Sequence, residues 1–85
     1  MNGVVAAYKD QGLMGADVKA TTLQVSADAE KWSEIDDESE AALKSRLLDA
    51  WVRTWRKHHH GAHATLTVRF HNYYGEEIAV ISKRA

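Results

Sequence analysis

Leu43-Lys44-Ser45-Arg46-Leu47-Leu48-Asp49-Ala50-Trp51-Val52-Arg53-Thr54-Trp55 is the stretch that decides the fold. Leu43, Leu47, Trp51 and Trp55 recur every four positions, with Leu48, Ala50 and Thr54 filling in beside them. That is the spacing of an apolar stripe along one side of an α-helix. Upstream, Ser33-Glu34-Ile35-Asp36-Asp37-Glu38-Ser39-Glu40 supplies residues that start helices. Asp37 with Glu40 three residues later has capping-box spacing, and Ser33 with Asp36 offers an earlier start. Gly61 is the natural stop, because glycine takes the left-handed conformation that ends many helices. The helix is expected over residues 37–58.

Strand patterns flank this helix. Ala64-Thr65-Leu66-Thr67-Val68-Arg69-Phe70-His71 alternates, with Leu66, Val68 and Phe70 on one side and Thr65, Thr67, Arg69 and His71 on the other. Asn72-Tyr73-Tyr74-Gly75 reads as a turn, and residues 77–82 return as a strand. In that strand Ile78 and Val80 are assigned to the core, which leaves Ala79 and Ile81 outward. Thr21–Ala27 alternates as well, with Leu23, Val25 and Ala27 inward. Val4–Tyr8 fits a strand better than a short helix, because β-branched Val and Tyr favour extended backbone. Gln11-Gly12 and Gly15-Ala16-Asp17 punctuate the chain between these two segments.

The resulting order is β(β)αββ. It predicts one α+β domain over residues 1–85, a small antiparallel sheet of three or four strands with one long amphipathic helix on one face. At 85 residues there is room for one domain and only a modest core. The absence of Cys excludes disulfides and thiolate metal sites, and the absence of Pro excludes a Pro-rich linker. Hydrophobic residues at 45% and charged residues at 27% belong to a folded chain rather than a disordered one. No apolar run approaches the ~18 residues of a membrane span, so no membrane partner is expected. Residues 1–14 are mildly apolar, but Lys9 and Asp10 interrupt them and no basic segment precedes them, unlike an intact signal peptide. The compartment is left open.

Charge is divided between the halves. Residues 1–40 hold three basic against nine acidic residues, and residues 41–85 hold eight against three, so a net charge of −1 conceals −6 and +5. All five His lie between positions 58 and 71. Much of this division suits a single helix whose macrodipole favours acids at its start and bases at its end.

Four kinds of chemistry are open to these residues. For metal binding, His59, His63 and His71 are the candidate ligands, but no Cys and no nearby acid completes the set. For a polyanion such as nucleic acid, Lys44, Arg46, Arg53, Arg56, Lys57 and Arg69 form a basic patch, with Arg53, Arg56, Lys57 and Arg69 the leading contacts, yet the sequence pI of about 6.5 is low for such a domain. For catalysis, Ser26, Ser33, Ser39, Ser45 and Ser82 sit in no nucleophile context, and His63 and His71 are the remaining candidate bases. No cofactor motif is present, and no enzymatic activity is expected.

The fourth kind is protein contact. One helix covers one face of a sheet, so the other face stays open. Thr67, Arg69, His71, Ala79 and Ile81 on that face, with Tyr73 and Tyr74 at the hairpin tip, form the expected interface. These residues predict a small non-enzymatic module that acts through a protein partner or through self-association, for instance as a homodimer. A metal- or polyanion-binding helix end is the alternative.

Overall fold

The computed structural model describes residues 2–85. The stripe of leucines and tryptophans forms a helix, α3 (Asp37–His58), over the expected span. Leu43, Leu47, Ala50, Trp51, Val52 and Trp55 are its buried residues. Each large side chain removed from water contributes about 1.5–3 kcal/mol gross, which makes this face the main source of stability. Trp51 also satisfies its indole, donating Nε1–H to the Thr21 carbonyl at 3.1 Å.

The helix start differs by one residue from the expected cap. Asp36, not Asp37, is the N-cap; it has extended backbone (φ −69°, ψ 157°) and its carboxylate accepts from the Ser39 backbone N–H at 3.3 Å. Asp37, Glu38 and Glu40 are left in the first turn and Arg56, Lys57 and His58 in the last, each sign at the end the macrodipole favours. His59 closes the helix, and Gly61 turns the chain with φ 75°.

The strands are β1 (Leu13–Lys19), β2 (Thr22–Ala27), β3 (Thr65–His71) and β4 (Glu77–Arg84), in spatial order β1-β2-β3-β4. The sheet is mixed, which corrects the antiparallel expectation. β1–β2 and β3–β4 pair antiparallel, but β2 and β3 pair parallel. Parallel neighbours need a long crossover, and α3 is that crossover. Leu23, Val25, Leu66, Val68 and Phe70 line the covered face, all fully buried.

Two further corrections concern the N-terminal third. Val4–Tyr8 is not a strand. Asn2–Ala6 is a short helix, α1, followed by a 3₁₀ turn at Lys9–Gln11. α3 packs on β3 and β4, and α1 packs on β1 and against α3, so Val5 enters the core rather than facing outward. Gly15-Ala16-Asp17 lies inside β1 rather than breaking the chain, and the register shifts between Leu13 and Gly15, a bulge at Met14. Trp32 sits on its own short helix α2 (Ala29–Ser33), capped by Asp28, and packs on Phe70 with ring centroids 4.9 Å apart.

The register of β4 also reverses an expectation. Phe70 pairs with Ala79 and Val68 with Ile81, so Ala79 and Ile81 face the helix side and Val80, opposite Arg69, faces outward. The cause is a bulge: two steps on β4, from Ala79 to Glu77, match one on β3, from Phe70 to His71. The extra residue, Ile78, changes the parity of every position after it, and Ile78 and Ala79 both pack against the core.

Two backbone positions make opposite predictions. Gly12 has φ 102°, and a Cβ there meets the Lys31 Cβ at 2.9 Å. Gly12→Ala is expected to cost at least about 2 kcal/mol in urea unfolding, from the left-handed backbone and the clash together. Ala20, in the β1–β2 turn, holds φ 55° without being glycine. Ala20→Gly is expected to gain about 0.5–1 kcal/mol, since relief of left-handed strain exceeds the added freedom of the unfolded chain.

Asp36 adds a pH dependence. Hydrogen bonds from Ser39, side chain first and then backbone, hold its carboxyl below the usual value of 3.8. A lowered folded pKa stabilises fully above the unfolded value, and that contribution disappears as pH falls through the folded value. Asp36→Asn is expected to remove this part of the acid-side loss of stability, read from urea midpoints at neutral pH and in the acid range.

Candidate functional site

The open face of the sheet is built in rows. Gly15, Ser26, His71 and Glu77 form one row; Asp17, Gln24, Arg69 and Val80 the next; Lys19, Thr22, Thr67 and Ser82 the third. These rows follow from the alternation of β2 and β3, whose other side is fully apolar. Neighbours across the strands are joined. Ser26 Oγ lies 3.3 Å from His71 Nε2, Thr67 Oγ1 lies 3.0 Å from Ser82 Oγ, and Arg69 Nε donates to Glu77 Oε1 at 2.9 Å. Gln24, Arg69, His71, Gly75 and Glu77 enclose a hollow of about 290 Å³. The face is therefore polar, with Val80 as its apolar exception. Ala79 and Ile81 do not contribute to it.

The hairpin tip projects beyond this face. Asn72 organises the turn: its Oδ1 accepts from the Tyr74 and Glu76 backbone N–H groups, each at 3.0 Å, and its carbonyl accepts from Gly75 N–H. Gly75 takes φ 84°. With the backbone so held, both tyrosines are turned to solvent, Tyr73 69% and Tyr74 78% exposed, with ring centroids 5.0 Å apart. Thr67, Arg69, His71, Tyr73 and Tyr74 thus share one hairpin and its outer face. Val80, 46% exposed, belongs with them and was assigned to the core by strict alternation. Only the unequal step across Phe70/His71 reveals it, and the sequence carries no separate mark of that bulge.

The His-rich helix end is dispersed. His59 stacks on Trp55 with centroids 4.5 Å apart and an interplanar angle of 8°, and its Nδ1 lies 3.0 Å from the Trp55 carbonyl oxygen. His63 Nδ1 lies 3.3 Å from the Ala85 carbonyl oxygen. His71 is on the sheet's outer face, beside Ser26. Among the described residues no three His, Asp or Glu side chains come together as a metal would need.

The basic candidates divide in two. Arg69 lies on the outer face and pairs with Glu77, while Lys57 is exposed and lines no groove with the others. Arg53 and Arg56 border a groove of about 580 Å³, together with Arg46 and Lys83. Arg46 stands seven residues before Arg53, which puts both on one side of the helix, while Lys44 pairs with Glu40 at 3.9 Å. Lys83 and Tyr8, which also line the groove, come from distant segments and carry no such signal.

Comparisons with protein-family models, curated proteins and solved structures found no match for this chain. No helix among the described residues is long and apolar enough to cross a membrane.

Zinc discriminates among the His arrangements. Equimolar Zn²⁺ is expected to leave the melting temperature where EDTA leaves it, measured by scanning calorimetry. A rise that disappears in His59→Ala and His63→Ala would reinstate a metal site at the helix end.

Proposed function

We propose that this protein is a non-enzymatic binding module that works through protein contact, with self-association as its first form. The observation that carries the proposal is the paired exposure of Tyr73 and Tyr74 at the end of a hairpin whose outer face also bares Val80 and Arg69. Tyr and Arg are the residue types that anchor interfaces, because each combines a large contact area with a polar end. Asn72 holds the backbone of the turn with two hydrogen bonds, which lowers the loop entropy lost when the tip docks.

The contact surface is smaller and more polar than an apolar patch of Ala79 and Ile81 would make it. Its polar members are already joined in pairs, and Arg69–Glu77 is half exposed and contributes little to stability, about 0–1 kcal/mol. Such a pair can exchange partners with a second molecule at small cost. The absence of catalysis is part of the same proposal. Ser26 and His71 meet on paired strands, where backbone N–H groups belong to the ladder rather than pointing at a shared oxyanion position.

The test is solution mass by size exclusion with light scattering over a concentration series. The wild-type chain is expected to exceed monomer mass at high concentration. The double substitution Tyr73→Glu with Tyr74→Glu is expected to restore the monomer while leaving the melting temperature unchanged. A wild-type chain that stays monomeric throughout, or a double variant that associates as strongly, would overturn self-association through this face.

A further inference from the structure

We propose that the groove over α3 binds an organic phosphate of about nucleotide size. It lies on the helix side of the molecule and is independent of the hairpin tip. Arg46, Arg53, Arg56 and Lys83 surround it, with Val4 and Tyr8 from the N-terminal segment as an apolar wall. Its volume of about 580 Å³ is that of a small-molecule site.

The arginines carry the inference. At a rise of about 1.5 Å per residue, Arg53 lies about 10 Å along the helix from Arg46, and Arg56 about 15 Å. Among the described residues none of the three forms an ion pair. The groove's one carboxylate, Asp49, is already taken by Lys83, with Nζ 3.3 Å from Oδ1. The helix macrodipole accounts for Arg56 in the last turn, but its influence fades within a turn and does not reach Arg46 or Arg53. Three guanidinium groups therefore line one groove whose single carboxylate, Asp49, is shared with Lys83.

The excess of charge selects the ligand. Guanidinium forks bind carboxylates and phosphates in the same bidentate way. A single carboxylate, however, would neutralise only part of a groove with four cations and one acid. A di- or triphosphate ester carries enough charge to balance them. Tyr8, half-buried at the wall, offers an aromatic surface to the organic part of such a ligand. An extended nucleic acid is disfavoured, because the same helix begins with Asp37, Glu38 and Glu40 and the whole chain has a net charge of −1.

Titration calorimetry of the full chain with ADP, pyrophosphate and adenosine at low salt tests the assignment. ADP is expected to bind at a single site, pyrophosphate more weakly, and adenosine without measurable heat. Arg46→Gln and Arg53→Gln should each weaken ADP about tenfold or more, as expected when a charge-assisted hydrogen bond is lost. Tyr8→Ala should weaken ADP but not pyrophosphate. Lys57→Gln, an exposed cation outside the groove, should leave ADP affinity unchanged. Arg46, Arg53 and Lys57 are exposed, so the folded state is retained and circular dichroism checks it. No heat with millimolar ADP would overturn the site, as would an equal loss in Lys57→Gln. A short oligothymidylate that binds far more tightly than ADP with the same arginine dependence would overturn the small-ligand assignment in favour of a nucleic acid strand.

Discussion

A 22-residue helix is about 33 Å long, and a six-residue strand about 20 Å. That difference governs the fold. After β2 and the short α2, α3 lies back across the sheet and outruns the strand it returns past. The chain therefore re-enters at the end where β2 began, and β3 runs parallel to β2. The apolar stripe of Leu43, Leu47, Trp51 and Trp55 holds this crossover down, and the Trp51 indole fastens it to the β1–β2 turn at Thr21. With α3 over β3 and β4, the inner face of β1 would stay wet, and α1 with Val5 fills that space. The groove over α3 exists because the N-terminal segment must come alongside.

What could be read from the chain follows from how local each signal is. The extent of α3 was legible because four large apolar residues at four-residue spacing admit one conformation. The inward side of β2 and β3 was legible for the same reason at period two. Strand direction was not, because alternation assigns faces and says nothing of which way a neighbour runs. The cue to direction is length: a helix longer than β2 carries the chain back past the start of that strand, which makes the next strand parallel.

Two further differences, in β1 and β4, share one physical cause. A bulge adds a single residue and turns every later side chain to the opposite face. At Met14 it made β1 look like a break, with Gly15 as its visible trace. At Ile78 no glycine marks it, and strict alternation put Val80 inside and Ala79 and Ile81 outside. Of the candidate sites, the tyrosine tip was legible from two adjacent aromatics in a turn. The groove was legible only in part, since Arg46, Arg53 and Arg56 share a helix side while Tyr8 and Lys83 arrive from opposite ends of the chain.

The division of charge along α3 bears on how the molecule meets anything else. Acids gather at its first turn and bases at its last, about 33 Å away. At physiological ionic strength a charge is felt over roughly 8 Å. An approaching body thus senses one end of the protein at a time and never its near-zero total. Viewed from afar the particle is almost neutral; at close range it is bipolar. Charge here governs the orientation of an encounter more than its frequency, turning the arginine-lined end towards anions and the opposite end away.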